Sequence, residues 1–576
     1  MKKKRTIRGN FKMCMAAAAA LSVLAAAPCY ASASYYVNPE RPYDAPIHGM
    51  FHEQPVISEK VSGVYSVYIP STLQPWRPVV IILPPDNTTA KDFASSEVGQ
   101  QWIAAADKYQ FAAAFLQADG AWNLADAADK RDDAEYLRTV YTQLRSKSAQ
   151  FDAVFTTDKS HMSLIGYGEG GGAAYEIAAE YPAIFCNVTA VDAAAFPVQV
   201  LEKVGEQNSF PFPADSFAGQ DEIALKNNKI PVPVWSVGTP NNEALGYWTA
   251  VNGDQAEVRV TSESKTPEAI WTEFMSRNGR FLGYPGGSLF ETENFTAEAD
   301  GSGYHVSEQN IDGLVRRWMT YVPKSYQAGT PAPMVVVSHG YSASMYALAE
   351  ESKWADVADK YGIIVVFSQA YLNERDGGFV PVPTWNSGLF PVGAPQTDDV
   401  SYIRQVIDLT KARYNIDASR IYATGHSNGG SLTWLLGRTM PETFAAIAPV
   451  GLMSGGEATD DMSLLMPSWS FKGEYDGDGM ALTPGSPNRN ALDFWKDWNG
   501  VETSSQKMET EGLFTTYSYT NEQGVPLVQY TGIKDSPHAY LPEESWMIWE
   551  DFFSKYSRGA DGTLYYEGNA VEAAEK

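Results

Sequence analysis

Two hydrophobic patterns alternate along this chain. Val79–Leu83, Ile363–Phe367 and the run Pro333-Met334-Val335-Val336-Val337 are almost continuously apolar, as strands covered on both faces must be. Between such runs lie longer stretches with helical spacing, for example Val400–Tyr414 and the amphipathic run Trp546–Phe553. Arg420-Ile421-Tyr422-Ala423-Thr424 and Trp469-Ser470-Phe471-Lys472-Gly473 predict further strands, and Leu432, Leu435 and Leu436 fall on one helix face. Alternation of this kind predicts a mostly parallel sheet flanked by helices.

The pattern occurs twice. Ala106-Asp107-Lys108-Tyr109 matches Ala358-Asp359-Lys360-Tyr361, and Phe115-Leu116-Gln117-Ala118 matches Phe367-Ser368-Gln369-Ala370 at the same offset. Ile69-Pro70 matches Val322-Pro323, Trp122-Asn123 matches Trp385-Asn386, Asp132-Asp133 matches Asp398-Asp399, and Pro267-Glu268 matches Pro542-Glu543. A repeat this long implies duplicated domains rather than a solenoid.

The second copy carries the chemistry. Gly425-His426-Ser427-Asn428-Gly429 fits G-x-S-x-G between a strand and a helix, the nucleophile elbow of α/β-hydrolases. The fold class expected is therefore α/β, with two tandem α/β-hydrolase-like domains. In this fold the order is serine, acid, histidine. Of seven histidines, His538 alone lies far enough beyond Ser427 to be the base. Asp476, just after the strand ending at Gly473, is the expected acid, with Glu474 and Asp478 as rivals. A serine hydroxyl needs an imidazole to take its proton, and the carboxylate fixes the imidazole tautomer. Backbone N–H groups of Asn428 and of Tyr341, in the His339-Gly340-Tyr341 loop, are the expected oxyanion donors. The first copy has Gly168 for Ser427, Asn241 for Asp476, Glu263 for His538 and Pro84-Pro85 for His339-Gly340. Proline has no N–H to donate. The first copy is thus expected to be catalytically inert, and to serve as scaffold, binding surface or cleft wall.

Several ordered segments of the second copy carry a family resemblance: Ser338-His339-Gly340, Trp385-Asn386, Asp398-Asp399-Val400-Ser401-Tyr402-Ile403, Tyr414–Tyr422, Gly425–Gly430, Trp498-Asn499-Gly500 and Pro537-His538-Ala539. On these residues it resembles the esterases grouped with polyhydroxybutyrate depolymerases and feruloyl esterases. The resemblance implies secreted ester hydrolysis through Ser427, Asp476 and His538. Trp385 and Asn386 are candidate cleft residues, since an aromatic face suits a feruloyl ring or a polyester chain. Asp398 and Asp399, which recur as Asp132 and Asp133, are assigned to helix capping. Two other functions remain open: a serine exopeptidase on the same fold, and a non-catalytic polymer-binding surface protein.

Composition adds limits. The chain has 576 residues, 44% of them hydrophobic, enough for two ordinary domains. Lys2, Lys3, Lys4, Arg5, Arg8 and Lys12 precede the apolar Met13–Ala27, and Ala31-Ser32-Ala33 suits cleavage, so residues 1–33 read as a signal peptide. Its loss would take the formal charge from −26 to −32. Such acidity disfavours nucleic acids and anionic membranes as partners. Cys14 and Cys29 would leave with the signal, so Cys186 would stand alone with no intrachain disulfide possible. The protein is expected to be secreted or periplasmic, without cofactor or metal. Its partner is a small or polymeric ester substrate, and the sequence does not specify an oligomeric state. The expected division is a lead-in over 34–60, the degenerate domain over 61–280, a linker over 281–303, the esterase domain over 304–558 and a loose polar tail over 559–576.

Overall fold

The computed structural model describes residues 48–572 except 57, 71–76, 124–129, 146–156, 183, 195–229, 281–288, 294, 342, 374–381, 389–395, 457–461 and 478. The signal peptide and Asp478 therefore lie outside the described residues.

Two large sheets organise the chain. The first contains β1 (Gly49–Pro55), β2 (Val64–Ile69), β3 (Arg77–Leu83), β4 (Ala112–Phe115), β5 (Thr157–Tyr167), β6 (Asn187–Val191), β7 (Val234–Val237) and β8 (Val258–Thr261). Their spatial order is β1-β2-β4-β3-β5-β6-β7-β8. β1 and β2 are antiparallel to their neighbours, and the pairs from β4 to β8 are parallel. Val79, Ile81 and Leu83 of β3 pack into one apolar cluster, and Val80 and Ile82 into another on the opposite face. Alternate side chains leave opposite faces of a strand, so both faces are covered, which is why the strand reads as a continuous apolar run.

A hairpin of β9 (Asn278–Arg280) and β10 (Leu289–Glu291) leads to the second sheet. That sheet contains β11 (Gly303–Ile311), β12 (Leu314–Val322), β13 (Ala332–Ser338) and β14 (Ile364–Ser368). After the short pair β15 (Leu372–Asn373) and β16 (Val382–Pro383), it continues with β17 (Ile416–His426), β18 (Ala446–Val450), β19 (Ser468–Gly473), β20 (Gln506–Glu511), β21 (Phe514–Thr520) and β22 (Pro526–Ile533). Its order is β11-β12-β14-β13-β17-β18-β19-β22-β21-β20. The first eight positions repeat the first sheet's order and directions, and β21 and β20 extend it by an antiparallel hairpin. Two α/β-hydrolase-like sheets in tandem are thus observed.

Side-chain contacts repeat with the strands. Trp122 Nε1 donates to the Pro84 carbonyl at 2.8 Å, and Trp385 Nε1 to the His339 carbonyl at 2.7 Å. Asn123 N–H donates to Asp133 and Asn386 N–H to Asp399, both at 2.7 Å. Asp398 does cap the helix Asp399–Arg413, accepting from Ser401 N–H at 2.8 Å. Asp399 does not cap: it is buried and pairs with Arg316 at 2.6 Å.

Three expected boundaries change. The lead-in contributes β1, and part of the linker forms β10. The tail, expected to be loose, supplies β24 (Leu564–Tyr566) and β25 (Asn569–Ala570), which pair in a small sheet with β23 (Tyr556–Arg558) just before it. Leu564 and Val571 are buried, and the Arg558 guanidinium donates to the Phe444 and Leu465 carbonyls. A few well-placed apolar residues and one arginine fork anchor a segment whose polar composition hid them.

Candidate active site

The site is built at the carboxyl ends of parallel strands. β17 ends at His426, and the helix Asn428–Thr439 begins immediately, leaving Ser427 between them at φ 55° and ψ −116°. A non-glycine residue there stores about 1–3 kcal/mol of strain, which only a surrounding that fixes both elements can hold. That fixing depends on close packing. A Cβ on Gly429 would fall 2.0 Å from the Ser338 carbonyl oxygen, so glycine lets the helix meet the end of β13. Ser427 N–H also donates to the Val450 carbonyl at 2.8 Å.

The loop after β13 lies against the serine. A Cβ on Gly340 would sit 3.3 Å from Ser427 Cβ. His339 is fully buried and anchors this loop. Its Nε2 accepts from Ala370 N–H at 3.0 Å, which assigns the proton to Nδ1, 2.7 Å from the Gly340 carbonyl. Burial pushes the His339 pKa down to about 4, so the ring is neutral. Because unfolding restores a value near 6.5, the unfolded chain takes up this proton first. His339 therefore contributes stability above about pH 6.5 that is lost progressively as pH falls towards 4. We expect the melting temperature of the wild type to fall more steeply over that window than that of His339→Gln; equal slopes would contradict the assignment.

β19 ends at Gly473, and Asp476 follows three residues later. His538 follows β22, and its Nδ1 lies 2.7 Å from Asp476 Oδ1, with both side chains more than nine-tenths buried. A Cβ on Gly473 would come within 2.4 Å of the Pro537 carbonyl oxygen, so the histidine loop packs on this glycine. Glu474, a rival acid, instead accepts Asp535 N–H at 2.9 Å and ties down the histidine loop. Gly451, at φ 75°, closes the centre: a Cβ there would stand 3.1 Å from both His426 Cδ2 and His538 Cε1. The rings of His426 and His538 are 4.7 Å apart.

The structure corrects the substrate-binding assignment of Trp385. Its side chain has no exposed surface and its indole N–H holds the His339 carbonyl from behind, while its backbone N–H donates to Asn428 Oδ1 at 2.7 Å. Asn386 likewise points its amide inward, donating to the Thr397 carbonyl at 2.8 Å. Trp385 thus braces the elbow and the loop after β13 together. Among the described residues, no group of three or more His, Cys, Asp or Glu is placed to hold a metal ion.

Residues 318–468 match the family of PHB depolymerase esterases. The family's relatives agree with that match. The chain is 26% identical over 247 residues to poly(3-hydroxyalkanoate) depolymerase C of Paucimonas lemoignei, covering 37% of this chain and 57% of that protein. It is 27% identical over 172 residues to a probable acetylxylan esterase A of Neosartorya fischeri, covering 30% and 40%. It is 26% identical over 258 residues to feruloyl esterase B of Piromyces equi, covering 42% and 45%. The chain thus spans about half the length of these relatives. Among solved structures, an acetyl xylan esterase from Aspergillus awamori aligns at TM-score 0.32 and 15% identity, over 43% of this chain and 99% of that one.

The first sheet has the same backbone turn, with glycine where the second has serine. Gly168 sits at φ 58° and ψ −120°, within a few degrees of Ser427. A Cβ on Gly170 would strike the Leu83 and Pro84 carbonyls, as one on Gly429 would strike Ser338 and His339. Asn241 caps the helix Asn242–Asn252, and Glu263 is exposed after β8.

Sequence reasoning missed Lys472, His426 and Gly451 as parts of this centre. Lys472 was visible as the one charge inside the buried β19, four residues before the acid. The other two become recognisable only when the ends of β17, β18 and β22 converge.

Proposed function

We propose that this chain is a serine carboxylesterase acting through an acyl-enzyme. The observation that carries the reading is the strained Ser427, set at an elbow whose neighbouring strands deliver a His538–Asp476 pair at 2.7 Å. His538 Nε2 takes the Ser427 proton as Oγ attacks the ester carbonyl, and Asp476 stabilises the imidazolium. The N–H groups of Asn428 and Tyr341 receive the oxyanion. His538 then protonates the departing alcohol, and water, activated by the same imidazole, releases the acid and restores Ser427.

The substrates proposed are acetyl or feruloyl esters of plant cell walls, or polyhydroxyalkanoate-type polyesters, with export through the signal at 1–33. The relatives' activities support this range. Among the described residues no helix is long and apolar enough to cross a membrane.

The first domain is proposed to be non-catalytic and to support the second. His161 of β5 meets Glu350 at 3.1 Å, and Glu350 lies on the helix Met345–Ser352 that follows the oxyanion loop. This contact gives the first domain a direct hold on that helix.

Purified protein incubated with nitrophenyl acetate, a feruloyl ester, a hydroxyalkanoate oligomer and an aminoacyl anilide tests the reading. Ester turnover with the anilide untouched is expected; turnover of the anilide alone would favour the exopeptidase. A fluorophosphonate should label one residue per chain, Ser427, as located by peptide mass spectrometry. Adding Gly168→Ser to Ser427→Ala should restore neither labelling nor turnover, since Glu263 and Pro84-Pro85 cannot supply a base or an oxyanion donor. Labelling at residue 168 would overturn the assignment of an inert copy.

A further inference from the structure

Lys472 lies in β19, every residue of which is buried, and its side chain is only 8% exposed. An ammonium so placed is costly unless paired. Its Nζ lies 3.2 Å from Asp476 Oδ1 and 3.3 Å from the Gly451 carbonyl. Asp476 Oδ1 is also the atom that meets His538 Nδ1. Asp476 Oδ2 has no hydrogen-bond partner among the described residues. One oxygen of the acid thus carries both contacts, and the cation on it also grips the strand end that walls the imidazole.

We propose that Lys472 is a positioning residue for the triad: held between Asp476 Oδ1 and the Gly451 carbonyl, its ammonium fixes the carboxylate that orients His538 and offsets part of the negative charge that His538 feels. The inference rests on the esterase reading for its kinetic consequences, but not for its electrostatic one.

Other titratable groups surround the pair. His426 comes from the elbow, Tyr530 from β22, Glu544 from the helix Pro542–Met547, and Glu474 and Asp535 from the two flanking loops. Burial raises Glu544 above the usual carboxylate range and Tyr530 above the ordinary phenol range. Lys472 is the cation in contact with the acid.

Removing a positive charge beside the Asp476–His538 pair favours the imidazolium. Since the reaction needs neutral His538, the acid limb of kcat/KM should move to higher pH. On nitrophenyl acetate, Lys472→Met should lower kcat about 10- to 100-fold with KM within about threefold. The midpoint of its acid limb should rise by about half to one pH unit. Lys472→Gln can donate a hydrogen bond without charge, so it should show the same limb shift with a smaller loss of kcat. Lys472→Arg should keep the wild-type limb. In parallel, the His538 Cε1–H resonance titrated by NMR in a Ser427→Ala background should shift in the same direction when Lys472 is replaced, and that readout needs no turnover.

A folded Lys472→Met or Lys472→Gln protein whose acid limb and His538 titration both match the wild type overturns the proposal, even if kcat falls, because lost packing alone would then explain the loss. If Lys472→Met fails to fold, Lys472→Gln decides. Should the wild type turn over no ester and Ser427 resist fluorophosphonate, the esterase reading fails, while the His538 titration still decides the role of Lys472.

Discussion

Ser427→Ala is expected to reduce kcat/KM on nitrophenyl acetate by about 10⁴- to 10⁶-fold, leaving the residue that binding and the oxyanion donors supply. The double variant with His538→Ala should be scarcely worse, because nucleophile and base act as a unit and the loss of either abolishes the same step. Stability should separate from activity. Alanine keeps a Cβ at φ 55°, so Ser427→Ala should melt near the wild type. Ser427→Gly removes the steric penalty of that backbone and should melt higher than the alanine variant, although glycine loosens the unfolded chain. The first domain carries glycine at this turn, Gly168 at φ 58°, where the conformation costs no side-chain strain. Steady-state kinetics with thermal melts check both halves. More than about one per cent residual turnover in Ser427→Ala, free of wild-type contamination, would remove Ser427 as the nucleophile.

Much of this site was legible in the sequence because its chemistry is tied to strand ends. Continuous apolar runs announced β3, β13 and β14, and the glycines around Ser427 announced a turn too tight for side chains. The order serine, acid, histidine then left few choices. Trp385 was misread because sequence cannot show which way a side chain faces: an aromatic beside a site suits a substrate and a brace equally, and here it is a brace with no exposed surface. Its counterpart Trp122, which bonds the Pro84 carbonyl in the first domain, was the available clue. The tail was misread because composition averages over residues, whereas Leu564 and Val571 act singly and Arg558, just before the tail, bonds into it at Gly562. Lys472 escaped because a lysine four residues before an acid is an ordinary spacing; what marks it is the Gly451 carbonyl, 21 residues away in sequence and just past the end of β18.

Asp399→Ala is expected to be among the most destabilising single changes in the second domain, at about 3–5 kcal/mol. Its carboxylate takes the Arg316 guanidinium at 2.6 Å on one oxygen, and Asn386 N–H at 2.7 Å and Thr397 Oγ1 at 3.0 Å on the other. The guanidinium also lies over the Tyr402 ring, 3.7 Å from its centroid, and Trp385 stacks on that ring. All of these residues except Asn386 are buried. Removing the carboxylate leaves a charge and two donors to be satisfied in a space water does not reach, which costs far more than the bonds are worth net. Asp398→Ala, one residue earlier, removes a solvent-exposed cap and should cost only about 1 kcal/mol. The damage should also reach catalysis. Trp385 holds the His339 carbonyl and contacts Asn428, so a shift in its bed moves both the loop after β13 and the start of the elbow helix, where the two proposed oxyanion donors lie. Asp133 occupies the matching place in the first domain, with Arg131 at 2.6 Å and Asn123 N–H at 2.7 Å. Asp133→Ala should therefore destabilise the first domain while a folded sample retains ester turnover. Denaturant unfolding and nitrophenyl acetate kinetics on the three variants decide the matter: an Asp399→Ala protein no less stable than Asp398→Ala, or one with unaltered kcat, would show that this network does not hold the oxyanion loop in place.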